Sequence, residues 1–342
     1  MTRTGAALET LTACLRGEPA VVIDWKAVIE LANKAWLTPQ LYCAIARVDR
    51  LDELPADARD YLAFIHAGNL ERNRRLRAQL VEAVGAINGA GIDPTLLKGS
   101  VALFSPPDDG LGSRMTSDLD LGVEQYELPA ARACLVDLGY QDAAEDRGMG
   151  RPKDVGLLEL RSRSSSSTVS REQRALEREG RVFEQAGLRV RIPSASCRAL
   201  HWIVHDLIKE GDYWRGRIDL RHLHDVAELH KQEGVDWGRL RTIMPDASWQ
   251  NALETQLLAL NHLFGVELPP EVSFGSIARF QHWRRTFIVA QPLAGLPLRL
   301  AGNLVWGLRR IRMRGSLTNR GPYDLARRIN RTLMGTSTGP KL

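Results

Sequence analysis

Leu96-Leu97-Lys98-Gly99-Ser100 and, further along, Ser117-Asp118-Leu119-Asp120-Leu121-Gly122-Val123 decide how this chain folds. The second stretch alternates with period two: Leu119, Leu121 and Val123 share one side, Asp118 and Asp120 the other, as in a strand packed on one face. Two carboxylates at i and i+2 repel unless a cation lies between them. Mg²⁺, a hard ion that prefers oxygen ligands, is the usual partner of such a pair; the alternative is a strand whose outer side is merely solvated. The first stretch is an apolar strand running into a Gly-Ser turn, after which Val101-Ala102-Leu103 resumes helical character. A strand, a Gly-Ser turn and a helix start make a phosphate seat: glycine admits close backbone approach, serine offers a hydroxyl, and the first helical N–H groups are unpaired.

Outward from these stretches the sequence reads as α+β, a small mixed sheet flanked by N-terminal helices and a C-terminal helical region. Trp25, Val28, Ile29 and Ala32 fall on one helical face with Asp24 as N-cap, and a longer amphipathic helix is expected over 69–88, ending at Gly89-Ala90-Gly91. Strands are expected at 94–98, 119–123, 155–160 and 188–192, with a helix over 128–138 and a loop at 147–152. Residues 162–170 are serine-rich and read as a solvated loop, as does 106–110. From Ser194 the periodicity is helical again. The expected organisation is a helical arm at 1–92, a core at 93–195, a helical bundle at 196–298 and a basic tail at 299–342.

At 342 residues, with 44% hydrophobic and 25% charged residues, the chain is long enough for a well-buried core. The net charge of +5 is unevenly spread: 299–342 carries ten Lys/Arg and one acid, Asp324, which leaves 36 basic against 40 acidic residues elsewhere. No global nucleic-acid signature results, and any polyanion binding has to be local. Cys14, Cys43, Cys134 and Cys197 form no C-x-x-C pair or zinc-type cluster, which fits a reduced cytoplasmic compartment. The first residues do not read as a secretory leader, and no apolar run reaches membrane-spanning length.

Leu97-Lys98-Gly99-Ser100-Val101-Ala102-Leu103 followed by Arg114-Met115-Thr116-Ser117-Asp118-Leu119-Asp120-Leu121 resembles the uncharacterised branch of the polymerase-beta-like nucleotidyltransferase superfamily. The lead-in with Asp24-Trp25 and Pro39-Gln40-Leu41-Tyr42 is similar to that branch, as are Trp202-Ile203-Val204-His205, Asp219-Leu220-Arg221-His222-Leu223 and Val235-Asp236-Trp237. The resemblance implies a third carboxylate on a neighbouring strand, for which Leu158-Glu159-Leu160 is the clean match and Asp154 the fallback. It implies two-metal transfer of a nucleoside monophosphate from an NTP such as ATP, with Mg²⁺ or Mn²⁺ on Asp118, Asp120 and Glu159. Gly99, Ser100, Lys98 and Arg114 would then contact the phosphates; for both cations the bland alternative is solvated surface charge. The acceptor is a small molecule, a protein or a nucleic acid. Two departures stand out: Arg161 occupies a position where related sequences often carry histidine, and the spacing from Ser100 to Asp118 is long.

His201 and His205, at i and i+4, lack a third ligand and read as ordinary helix histidines; the stretch 221–225 receives no role. The tail intersperses Trp306, Leu308 and Ile311 with arginines, which reads as a solvated basic helix or, alternatively, a contact for an anionic partner such as RNA or lipid. The competing reading of the whole is a non-catalytic relative that keeps the fold and binds a nucleotide or a partner.

Overall fold

A polar residue on an otherwise apolar helix face must find a partner, and helix α4 (Ala56–Gly89) is organised by that requirement. Its C-terminal half presents Leu76, Leu80, Ala83, Val84 and Ile87 to the core, whereas its N-terminal half presents Asn69, Arg72 and Asn73 on the same side. The expected helix over 69–88 begins earlier, at Ala56; the added stretch 56–68 buries only Ala58 and Leu62, too few apolar positions to mark a helical face in the sequence. The computed structural model describes residues 2–18, 24–104, 110–143, 148–162, 175–176, 178–268, 270 and 272–315. The expected loop at 163–170, most of that at 106–110 and the tail beyond 315 lie outside the described residues.

The chain forms two compact units, Asp49–His201 and a discontinuous one made of Met1–Val48 with Trp202–Leu342. In the first, a mixed sheet of seven described strands runs in the order β3-β4-β5-β2-β1-β7-β6. These are β1 (Thr95–Leu97), β2 (Leu119–Val123), β3 (Gln141–Asp142), β4 (Met149–Gly150), β5 (Leu158–Ser162), β6 (Gly180–Gln185) and β7 (Leu188–Pro193), with the short helix α5 (Gly99–Phe104) directly after β1. β2 is central, antiparallel to β1 and parallel to β5. Leu119, Leu121 and Val123 from β2 and Leu158 from β5 join the core built with α4 and with Ala131 and Leu135 of helix α6 (Leu128–Asp137). Alternation then sends Asp120 and Glu159 to the opposite face.

The expected strand at 155–160 starts later, at Leu158, because Gly156 is folded tightly against Leu76 and the Ser117 carbonyl, where a Cβ would collide. The expected loop at 147–152 contains the short strand β4, which pairs Met149 with Leu158. β6 and β7 are joined by Ala186 and Gly187, both at positive φ (51° and 76°), the two-residue hairpin geometry that matches strand twist.

The second unit is helical. Helices α1 (Arg3–Arg16), α2 (Trp25–Lys34) and α3 (Thr38–Arg47) form its N-terminal part, and Asp24 caps α2 by accepting the Ala27 N–H at 2.9 Å. Helix α7 (Ala195–Ile203) begins in the sheet unit, which ends at His201, and runs into a π-helical segment, Val204–Lys209. There follow α8 (Asp212–Arg215), α9 (Leu220–Glu233), α10 (Trp237–Thr242), α11 (Ala247–Phe264), α12 (Ser276–Ala290) and α13 (Leu296–Gly315). Asp219, Asp236 and Asp246 cap α9, α10 and α11 with their side chains. The mixed sheet with helices on either side in sequence is the α+β class expected. Among the described residues no helix is long and apolar enough to cross a membrane.

Candidate active site

Parallel pairing of β2 with β5 sets Asp120 directly opposite Glu159, so the two carboxylates leave neighbouring strands on one face of the sheet. Asp118 immediately precedes β2, two residues from Asp120, and accepts a hydrogen bond from the Ser117 hydroxyl at 2.8 Å. Asp120 is 1% exposed. Burial pushes its carboxyl up to about 6, with Lys98 pulling against that and the negative charges of Asp118 and Glu159 adding to it. Ser100, fully buried, accepts the Asp120 backbone N–H on its Oγ at 2.8 Å and so ties the Gly-Ser turn to the acidic strand.

Two cations answer the buried charge. Lys98 takes a left-handed conformation (φ 48°) at the end of β1, uncommon for a residue with a side chain, and its Nζ donates to Asp120 Oδ1 at 2.9 Å. Arg161 pairs with Glu159 and stands 3.9 Å from Asp120. The remaining candidate, Arg114, lies against the turn: a Cβ added at Gly99 would meet its Nη1 at 2.6 Å and Thr116 Cγ2 at 2.9 Å. Glycine at 99 is thus required by close approach, and the structure gathers Lys98, Gly99, Ser100 and Arg114 around the acidic strand. Asp120 and Glu159 thus leave one sheet face and Asp118 stands just ahead of β2, but among the described residues only Asp206, Asp219 and His222, in the helical unit, have acidic or imidazole ligand atoms that all lie within 4.8 Å of one another.

Residues 22–265 match the family described as uncharacterised nucleotidyltransferase. The chain belongs to this nucleotidyltransferase family. No curated protein and no solved structure matches it. The match ends one residue past helix α11 and leaves α12 and α13 outside it.

The candidate site also rests on side chains that the sequence pattern did not single out. Asn69 and Asn73 of α4 donate amide hydrogens to the carbonyls of Leu111, Gly112 and Arg114, at 2.6–3.2 Å, and so hold the segment entering the site. Arg72 donates to the carbonyls of Thr116, Ser117 and Val155; burial lowers its pKa while the Asp118 charge opposes that. Gln79 donates to the Gly156 carbonyl at 2.9 Å. The available signal was the spacing Asn69, Arg72, Asn73, Leu76, Leu80: polar residues at i, i+3 and i+4 in line with the apolar stripe, a pattern that surface residues do not need.

Asp154 is engaged elsewhere. It forms an ion pair with Arg151 at 2.8 Å, and Arg151 also pairs with Glu82 and lies over the Tyr140 ring. Cys197 Sγ lies 3.9 Å from His201 Nε2, and His205 Nδ1 lies 3.1 Å from Asp206 Oδ1. A buried cluster in the helical unit joins Asp206, Asp219 and His222, with His222 Nδ1 at 2.9 Å from Asp206 and 3.5 Å from Asp219. Burial alone would lower the His222 pKa, but the two carboxylates outweigh it and hold the imidazole above its usual range, Arg221 opposing. The cluster ties the π-helical segment, through Asp206, to the N-cap and first turn of α9, through Asp219 and His222.

Proposed function

We propose that this chain transfers a nucleoside monophosphate from an NTP to an acceptor hydroxyl or amine, using Mg²⁺ or Mn²⁺ held by Asp118, Asp120 and Glu159. A general nucleotidyltransferase role follows from family membership; the metal, the donor nucleotide and the site roles are our reading. The observation that carries it is the register of Asp120 against Glu159 beside the Gly99-Ser100 turn. The bound cation would neutralise the triphosphate and polarise the phosphorus under attack. Gly99 lets phosphate approach the backbone where a side chain would strike Arg114 and Thr116. Arg114 offers a planar guanidinium to phosphate oxygens, and Lys98, on a flexible stem, exchanges Asp120 for a phosphate oxygen as nucleotide binds. The acceptor oxygen or nitrogen bonds to the α-phosphorus as the α–β phosphoanhydride bond breaks and pyrophosphate leaves, and Glu159 takes the proton released by the acceptor on a carboxylate oxygen.

The test is incubation with each α-labelled NTP, Mg²⁺ or Mn²⁺ and cell extract, comparing wild type with the Asp118→Asn/Asp120→Asn double variant. Label transfer by wild type should fall by about 100-fold or more in the variant; equal labelling by both would refute the reading. One observation favours a second reading, a binding protein that retains the fold: Arg161 already pairs with Glu159 and approaches Asp120. Such a protein would bind NTP without transferring label, and Arg161→Ala would leave that unchanged.

A further inference from the structure

Helix α13 (Leu296–Gly315) has its polarity inverted for a helix on a protein surface. Its inner face is fixed: Gly302 packs where a Cβ would meet the Trp214 carbonyl at 2.5 Å, Trp306 stacks on Trp214 at 5.2 Å, and Asn303 Oδ1 accepts from Arg215 Nε at 3.2 Å. That anchoring leaves Leu300, Leu304 and Leu308, at i+4 intervals, outward and 53%, 54% and 59% exposed. Leu296 and Val305 extend the stripe, and Leu293, in the turn before the helix, is 90% exposed. Helix α12 adds exposed Ile277, Phe280 and Trp283, the last two 5.7 Å apart between ring centroids.

Exposed apolar side chains in such a stripe mark a docking face. Charge selects its occupant. Residues 272–323 contain no acid; Arg284 and Arg285 are buried against backbone carbonyls, whereas Arg279 on α12 and Arg299, Arg309 and Arg310 on α13 are exposed, the last three off the leucine stripe. A second copy would bring like charge against like charge, and an RNA would leave the aliphatic stripe in water. A surface that is apolar just below a layer of negative charge satisfies both features, with the leucines entering the acyl boundary and the arginines meeting the headgroups.

We propose that the outward face of α13 seats this protein on the surface of an anionic lipid bilayer, peripherally and without crossing it. The face lies beyond the residues that match the nucleotidyltransferase family, so the inference does not rest on the transferase reading.

The test is co-sedimentation of the full-length protein with vesicles of phosphatidylcholine alone or with about 30% phosphatidylglycerol. Wild type should partition at least about tenfold better to the anionic vesicles, and less as salt rises. Leu300→Glu/Leu304→Glu should lose that preference by about tenfold or more while keeping its thermal midpoint, since both positions are exposed. Arg299→Glu should weaken binding several-fold, reporting charge separately from the leucines. Equal partition to both vesicle types, or to neither, overturns the proposal. So would self-association abolished by the double Glu variant, or retention of a short RNA, when vesicle binding is absent.

Discussion

Asp120 carries the clearest physical consequence of the site. Its folded pKa of about 6 exceeds the ordinary 3.8, so the folded protein holds that proton more tightly than the unfolded chain. The stability this lends is complete below 3.8 and is lost as pH rises through about 6, so at pH 7.5 the ionised carboxylate works against folding. Asp120→Asn should therefore raise the stability of metal-free protein at pH 7.5 by about 1–3 kcal/mol, discounted for the lost Lys98 partner. Excess Mg²⁺ should narrow the difference, because only wild type gains binding free energy in the folded state. Thermal melts at pH 4 and 7.5, with and without Mg²⁺, check this; a variant less stable than wild type at pH 7.5 would refute it. The acids were legible in the sequence because period two puts Asp118 and Asp120 on one face. Ser100 was legible only as a hydroxyl near phosphate, since its bond to the Asp120 N–H depends on a β1–β2 pairing that local pattern does not encode.

At the scale of elements, α4 supports the site through amides rather than through apolar contacts alone. Asn73 Nδ2 donates to the carbonyls of Leu111 and Arg114, each at 2.7 Å, in a buried setting. Asn73→Ala leaves those acceptors short of a donor and should cost about 1–3 kcal/mol of stability. Because the segment they anchor carries Arg114 onward to Asp118, the same variant should raise KM for the NTP more than it lowers kcat; an unchanged KM would place Asn73 outside the site's support. A second device operates between the π-helical segment and α9. His222 is held above its usual pKa of 6.5, so its stabilising charge is complete below 6.5 and is lost as pH rises through the folded value. Stability should decline as pH rises above 6.5, and Asp206→Asn should flatten that slope; a parallel decline in both proteins would sink the assignment. Strongly patterned elements such as β2, β7 and α6 were legible in advance. β3 and β4 are two residues long, and β6 spends Arg181 and Glu184 on a largely exposed edge, so none of them carries the alternation that betrays a strand. The start of α4 was hidden because residues 56–68 bury only Ala58 and Leu62, too sparse to make an apolar period.

At the scale of the whole molecule the chain leaves the helical unit after Val48 and returns to it at Trp202, so the sheet unit is an insertion in sequence. Its core residues, from Leu76 to Ile192, all lie within Asp49–His201, as do the carboxylates, Lys98, Arg114 and the α4 amides that hold them. About 150 residues suffice for an independent core. A fragment of residues 49–201 should therefore fold alone, with a single cooperative thermal transition and a dispersed amide spectrum. It should also bind Mn²⁺ within about threefold of the affinity of the full chain, since every proposed ligand is present. The discontinuous unit makes the contrasting case: residues 1–48 and 202–342 must meet across a long gap in sequence, and neither piece expressed alone should show a cooperative transition. A fragment 49–201 that melts without cooperativity would show that the sheet unit depends on the helices around it in sequence, and Mn²⁺ affinity lost from a well-folded fragment would place a ligand outside the acidic strand pair.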